Sequence, residues 1–450
     1  MSVPAEALSH ATMRRVSWRL IPLLMLLYLV AYIDRSNISV AALQMNSDLG
    51  LSAQMFGLGA GLFYVTYIIF EVPSNLLLAK FGARRWIARI MVTWGIVAIL
   101  MSVIHTPGHL YTVRLLLGAA EAGFTPGIIY YLSQWYPRAD RARAMSAFYI
   151  GATLASVIGL PLSGALLNLN GLLGYAGWRW LFLLEGIPAI LLGFVVLRVL
   201  PDRPETATWL PPEERDWLRQ TLDREAQSDK ANVVGRGEQQ SHGRAIATAF
   251  GSGTVWALAL FWLLQAFGTI GLTLFLPLLV KQVSNQGSFV VGLLSALPFL
   301  FACLTMFLNG RHSDRSGERA RHLGLPLLGA GVLLIASVYV GNVWLAYGFL
   351  VISVGLNWAS TPVFWAVATE RVGGLAGAAA IALINAVANL AGIGLPPIMG
   401  RLRDATGSYH IALVMLAVAL IAGGLLGLKL GPPRRRAATV GGAAPTGSQH

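Results

Sequence analysis

The chain has 450 residues, of which 56% are hydrophobic and 12% are charged, and its formal net charge is +13. Soluble domains carry about 25% charged residues, so this composition excludes an ordinary water-soluble protein and predicts an integral membrane protein. The positive charge does not indicate a nucleic-acid partner, because the basic residues lie in short loops between apolar runs, where they orient a membrane protein. The single cysteine, Cys303, excludes an intramolecular disulfide and a cysteine metal cluster.

Twelve apolar runs are long enough to cross a membrane, since a span needs about 20 mostly apolar residues. The first follows a basic N-terminal segment in the manner of a signal peptide, but it lacks a small-residue cleavage pattern and is predicted to be a true span. The runs lie at about 18–41, 55–79, 86–104, 110–132, 144–167, 179–199, 254–280, 289–309, 323–340, 344–368, 376–398 and 410–430.

A polar segment interrupts these runs at their midpoint. We therefore expect an N-terminal six-helix bundle over 1–200, a central loop over 201–250, a C-terminal six-helix bundle over 251–430 and a disordered tail over 431–450. Within the loop, paired prolines followed by acids predict a surface helix from about 212 to 226, and 227–243 are expected to be disordered. The predicted fold class is an all-α membrane protein with twelve transmembrane helices in two bundles, an architecture that predicts a transporter.

The loops predict the orientation. Basic residues concentrate in the loops after the second, fourth and eighth runs, whereas the alternate loops carry few, apart from Arg401 and Arg403 before the last run. The positive-inside rule then places both termini and the central loop in the cytoplasm.

An internal repeat supports the division into halves. Residues 310–317 (GRHSDRSG) follow the eighth run, and residues 75–85 (NLLLAKFGARR) follow the second. Both resemble the G-x-x-x-D-R-x-G loop signature of the major facilitator superfamily. The C-terminal copy keeps the acid at Asp314, whereas the N-terminal copy has Ala79 in that place. Transporters built from such repeats hold their substrate near the midplane, between the halves.

Charged residues inside the spans are the strongest signal of a site, because each costs roughly 2.5–3.5 kcal/mol at a span centre. They occur only in the first half: Asp34, Arg35, Glu71, Arg114, Glu121 and Glu185. The second half offers only amides well inside its spans: Gln265, Asn357, Asn385 and Asn389. Two arginines suit a carboxylate, which a guanidinium binds with paired hydrogen bonds. Two buried acids suit a proton as the coupled ion. A substrate that binds one of the arginines would withdraw that arginine from its acid, and the unpaired acid would then bind a proton.

Alternatives remain for several of these residues. Asp34 and Arg35 could neutralise each other, although adjacent helical residues point about 100° apart and should face different partners. Arg114 could anchor its span at the extracellular surface. Glu71 and Glu185 are interpreted as gating or packing acids.

Five segments are similar to the anion:cation symporter family of the major facilitator superfamily: 32–37 (YIDRSN), 70–75 (FEVPSN), 84–89 (RRWIAR), 114–124 (RLLLGAAEAGF) and 200–204 (LPDRP). The similarity runs over nearly the whole chain and looks closest to the bacterial branch for tartrate, phthalate, hydroxyphenylacetate and sugar-acid uptake.

That resemblance implies roles for eight residues. Asp34 and Glu121 would couple the proton, Arg35 would bind the substrate carboxylate, and Arg114 would partner the acids. Tyr32, Tyr67, Trp365 and Asn385 would line the cavity. Gln265 is only a candidate there.

The sequence therefore predicts a proton symporter that imports a small organic anion, with neither cofactor nor metal and without enzymatic activity. We expect a monomer in the bacterial inner membrane. An exporter or exchanger of the same fold is the alternative, and a non-transporting nutrient sensor is a more remote one.

Overall fold

The structure is a computed structural model that describes residues 5–235, 250–372 and 374–430. The predicted disordered tail at 431–450 and the later part of the predicted disordered segment, 236–243, lie outside the described residues. Twelve helices in the described part of the chain are long and apolar enough to cross a membrane, which confirms the twelve predicted spans.

The α-helices follow one another through short connections, and we number them in chain order over the described residues. The first half comprises α1 (Ala5–Asp48), α2 (Ala53–Phe81), α3 (Ala83–Leu100), α4 (Pro107–Glu121), α5 (Phe124–Ser133), α6 (Arg138–Leu166) and α7 (Gly177–Val199). Helix α8 (Pro212–Gly235) lies between the halves in sequence. The second half comprises α9 (Gly253–Ser284), α10 (Ser288–Ser316), α11 (Ala320–Tyr339), α12 (Val343–Arg371), α13 (Gly374–Thr406) and α14 (His410–Leu430).

Several helices extend beyond their predicted bounds, among them α1 and α8. Helix α1 begins at Ala5 rather than near residue 18, and its added turns bury Met13 and Val16 in the core of the first half. Helix α8 continues to Gly235, past the predicted end at 226, so the expectation of disorder was wrong for 227–235, which are helical. Hydropathy detects only the apolar part of a helix, so it missed the polar ends that other contacts stabilise.

The fourth span is two helices rather than one. Helix α4 ends at Glu121, and α5 begins after Gly123, which has a φ of 84°. Glycine accepts this left-handed conformation without the steric cost that a side chain would add. The Ser74 side chain also occupies the space that a Cβ at Gly123 would need. Glu121 is therefore the last residue of α4, beside a break in the helix inside the bundle.

The two halves pack together on the side of the membrane opposite α8. One apolar cluster there joins residues of both halves, and the rings of Phe56 and Phe275 lie 5.9 Å apart within it. Toward α8, the described core cluster of the first half contains no residue of the second half. The contacts described between the halves therefore lie on the side opposite α8.

Candidate functional site

An ion pair between Arg35 and Glu121 lies at the centre of the first half. The Arg35 Nε donates to Glu121 Oε1 over 2.5 Å, joining α1 to the end of α4. The Glu121 side chain is fully buried, whereas 25% of the Arg35 side chain is exposed. Glu121 Oε2 has no hydrogen-bond partner among the described atoms. The pair thus presents its cation to solvent and keeps its anion inside.

Aromatic rings surround the exposed arginine. The Arg35 guanidinium carbon lies 4.9 Å from the ring centre of Tyr67, 5.6 Å from that of Tyr32 and 5.7 Å from that of Phe63. At these distances a ring face attracts a cation. The structure therefore brings together four residues that the sequence had nominated, Tyr32, Arg35, Tyr67 and Glu121, and adds Phe63.

Arg114 has different partners from those expected. Its Nε donates to the Gly59 carbonyl over 3.2 Å, and its Nη2 lies 3.5 Å from the Ala60 carbonyl. The residue is 5% exposed, so it does not anchor the span at the membrane surface. Its guanidinium carbon lies 4.8 Å from the Phe63 ring centre. Arg114 is therefore held by the α2 backbone and shares the Phe63 ring with Arg35.

Asp34 faces away from Arg35, as adjacent helical residues should. Its Oδ2 accepts the Trp94 indole N–H over 2.6 Å, and its Oδ1 accepts the Asn37 amide over 3.0 Å. The aspartate is 3% exposed. Trp94 gave no signal in the sequence, because a tryptophan inside an apolar run is indistinguishable from a packing residue until its N–H partner is seen.

Glu185 belongs to a neighbouring polar cluster rather than to the arginine pocket. It accepts a hydrogen bond from the Ser163 hydroxyl over 2.7 Å, which links α7 to α6. Asn37 also lies within hydrogen-bonding reach of its carboxyl group. Glu71 is half-buried one turn from Tyr67 on α2, and its gating role remains a prediction.

An aromatic wall stands in the second half. The Trp262 ring stacks on Phe364 at 4.6 Å and meets Trp365 edge-on at 5.1 Å. The Trp262 indole N–H donates to Asn385 Oδ1 over 3.3 Å. Trp365 and Asn385 had been nominated from the sequence, whereas Trp262 and Phe364 had not. The sequence feature that could have identified Trp262 is its position one helical turn before Gln265.

Gln265 faces a neighbouring helix and not the cavity. It is 1% exposed, and its amide nitrogen donates to the Asn357 carbonyl and to the Thr361 hydroxyl, both over 2.9 Å. These bonds join α9 to α12 and so support the wall from behind. The interpretation of Gln265 as a cavity residue finds no geometric support.

The two copies of the loop signature are completed in different ways. In the second half, Arg319 contacts Asp314 at 2.6 Å and Glu370 at 3.3 Å. In the first half, where Ala79 replaces the acid, Asp202 from the later loop accepts the Arg84 backbone N–H over 2.8 Å. A carboxylate distant in sequence thus contacts the start of α3, next to the first copy of the signature.

Comparisons with known proteins agree with this architecture. Residues 24–396 match the family described as Major Facilitator Superfamily. The chain is 43% identical over 429 residues to a "Putative tartrate transporter" of Agrobacterium vitis, covering 95% of this chain and 93% of the relative. It is 38% identical to a "Quinolone resistance transporter" of Acinetobacter baumannii, covering 92% and 93%. A solved bacterial homolog of the human lysosomal transporter Spinster, in an inward-facing and occupied conformation, has the same fold, with a TM-score of 0.73 at 19% identity over 91% of this chain and 96% of that one.

The family match covers most of the chain, and relatives well above 30% identity span nearly all of it. The chain therefore belongs to the major facilitator superfamily and is a multi-pass membrane transporter, not an enzyme.

Proposed function

We propose that the protein imports a small organic anion together with protons. The observation that carries this proposal is the asymmetric ion pair, in which Arg35 is partly exposed and Glu121 is fully buried. An arriving carboxylate can reach the guanidinium but not the carboxylate behind it. The substrate therefore competes with Glu121 for the same cation.

The rings beside Arg35 favour a planar or hydroxylated acid. Tyr32 and Tyr67 offer hydroxyl groups next to the guanidinium, and their faces stabilise its charge when a substrate replaces the internal partner. Arg114, held by backbone carbonyls and packed on Phe63, contributes further positive charge. The pocket is thus suited to one carboxylate bound end-on to Arg35.

Competition for Arg35 couples the anion to a proton. When Asp34, Arg35, Arg114 and Glu121 are all ionised, two positive charges balance two negative ones. A bound carboxylate adds one negative charge and removes the cation from Glu121. An unpaired buried charge costs several kcal/mol, so Glu121 binds a proton and restores neutrality. A dianion such as tartrate would need a second proton, for which we propose Asp34.

We propose import as the direction. The contacts described between the halves lie on the side opposite α8, which leaves the α8 side, predicted to be cytoplasmic, as the open one. Cargo and proton would be released from this conformation to the cytoplasm. We propose a monomer in the bacterial inner membrane with both termini in the cytoplasm. Tartrate, a sugar acid or an aromatic acid is the proposed cargo, and the resemblance to a protein named for tartrate supports testing tartrate first.

Proteoliposomes containing the purified protein test the coupling. External tartrate should acidify the lumen, and an inward proton gradient should drive accumulation. Glu121→Gln should retain exchange of labelled substrate across the membrane but lose gradient-driven accumulation, because the amide mimics the protonated acid permanently.

Asp48→Asn is the matched control, since it removes an acid from the same helix as Arg35 whose partner is the Trp178 indole N–H rather than the pocket. It should retain more accumulation than Glu121→Gln. Accumulation that follows a sodium gradient and ignores pH, or that persists in Glu121→Gln, would refute the proposed coupling.

An exporter or exchanger is the second candidate, favoured by the 38% identity to a relative named for quinolone resistance. It predicts that a quinolone, rather than tartrate, stabilises the purified protein against heat. It also predicts that expression in intact cells lowers the internal quinolone concentration. Uptake of tartrate with no effect on quinolone would exclude this candidate.

A further inference from the structure

A carboxylate of the second half binds the first turn of a helix in the first half. The Ala53 N–H donates to Asp404 Oδ1 over 3.0 Å, and the Gln54 N–H donates to Asp404 Oδ2 over 2.8 Å. Asp404 lies in α13, and the two donors begin α2. The N–H groups of a first helical turn have no partner within their own helix. These two bonds therefore join the halves on the side opposite α8.

Asp404 is poorly placed for its own helix. It lies near the end of α13, which ends at Thr406. A negative charge is disfavoured near the C-terminus of a helix and favoured near an N-terminus. The start of α2 offers the favourable end of another dipole. The position of this acid is therefore explained by its contact across the interface.

The cap of α2 is divided between the two halves. Within the first half, the Ser52 hydroxyl accepts the Met55 N–H over 3.2 Å, and the Phe56 N–H reaches the Ser52 carbonyl over 3.0 Å. The two earlier N–H groups have Asp404 as their acceptor. Separation of the halves on this side would leave both of them to water.

Glycines bring α2 and α13 close enough for this contact. A Cβ at Gly57 would overlap the Pro396 carbonyl, and a Cβ at Gly61 would lie 2.7 Å from the Ile393 carbonyl oxygen. On α13, a Cβ at Gly400 would overlap the Ala53 carbonyl. Small residues allow membrane helices to approach until their backbones touch. The close packing of α2 against α13 therefore brings Asp404 within reach of the first N–H groups of α2.

We propose that Asp404 is a latch that holds the transporter closed on the side opposite α8. The cavity opens to that side only after α2 and α13 separate and the two hydrogen bonds break. Because the carboxylate is exposed and water replaces it as the acceptor, the latch biases the two conformations modestly. A charge at a helix terminus is worth about 0.3–1 kcal/mol, which corresponds to about a two- to fivefold change in population. The proposal does not depend on the identity of the cargo.

Double electron–electron resonance tests the latch. It measures the distances between spin labels on the two halves, here without substrate. The single native cysteine is replaced by Cys303→Ser, and labels are attached through Leu172→Cys in the first half and His410→Cys in the second, both at exposed positions opposite α8. Asp404→Asn should increase the population with the longer distance about two- to fivefold. Ala53→Pro should act in the same direction, because proline is tolerated at the first helical position but has no N–H.

Arg401→Gln is the matched control. This exposed cation lies on the same helix, one turn before Asp404, and should leave the distances unchanged. Combining Ala53→Pro with Asp404→Asn should give less than the sum of the two single effects, since Ala53→Pro removes one of the two bonds that Asp404 accepts. Unchanged distances in both Asp404→Asn and Ala53→Pro, with monodisperse protein, would overturn the proposal. An equal shift in Arg401→Gln would also overturn it, because a general charge effect would then suffice.

Discussion

The two halves of this transporter share a helical plan but bury different polar groups. Among the described residues, the spans of the first half bury both acids and arginine: Asp34, Arg114, Glu121 and Glu185. Arg35 in the same half is half-buried. The spans of the second half bury amides and hydroxyls, chiefly Gln265, Asn357, Ser353 and Ser360. Charges in a membrane are retained for ion chemistry, whereas amides join helices. We therefore propose that coupling resides in the first half and selectivity in the second.

The largest expected effect is that of removing the central cation. Arg35→Ala should lower substrate binding and uptake at least about 100-fold, because it removes the anion's partner and hydrogen bonds to a charged group are worth about 1.5–3 kcal/mol each. It should also destabilise the protein, because it leaves Glu121 unpaired. Uptake in proteoliposomes and thermal shift with tartrate measure it. Arg89→Ala is the matched control, since Arg89 packs over the Trp86 ring away from the pocket. Equal losses of uptake in Arg35→Ala and Arg89→Ala would contradict the proposal that Arg35 binds the substrate.

A smaller and different effect is expected from the aromatic wall. Trp262→Ala should weaken binding of the preferred acid about tenfold, near 1.4 kcal/mol, by removing two ring contacts and the bond to Asn385. The number of protons carried per substrate should not change, because the ion pair of the first half stays intact. Competition assays with a panel of carboxylic acids measure the ranking.

Trp256→Ala provides the control for that variant. It lies on the same helix, α9, with its indole N–H bonded to the Phe250 carbonyl away from the wall. A changed proton ratio in Trp262→Ala would contradict the division of labour between the halves.

The smallest expected effect concerns the loop signature of the second half and depends on pH. Burial alone would raise the pKa of Glu318, but hydrogen bonds from the Arg321 N–H and from His322 outweigh it and hold the pKa below its ordinary value of 4.5. A lowered folded-state pKa stabilises the protein above that ordinary value, and the stabilisation is lost as pH falls through the folded-state value.

Glu318→Gln should therefore lower the unfolding free energy at pH 7 by less than about 1 kcal/mol, and the difference from the parent should vanish at pH well below 4.5. Thermal unfolding in detergent measures both. Glu213→Gln, at an exposed acid on α8, is the control and should change little. A difference that grows in acid would contradict the sign of the shift.

The sequence located the ionic site because buried charge is visible in one dimension. Asp34, Arg35 and Glu121 stand out from apolar runs whatever the fold, and hydropathy alone counts the spans. Partners were harder to predict. Trp94 as the donor to Asp34 and the α2 carbonyls as the acceptors for Arg114 depend on which helices lie side by side. Asp202 contacts the start of α3 from a later loop, a contact that no local pattern encodes.

Sequence by itself determined that this chain lies in a membrane, that it is divided into two halves and that one of them holds the charges, since each follows from the cost of placing polar groups in lipid. Tertiary structure decided how those charges are paired. Arg35 meets Glu121 only because Gly123 breaks the fourth span beside it, and Asp404 meets α2 only because glycines let two helices touch. Pairing depends on distances between helices, which the order of residues along one helix does not specify.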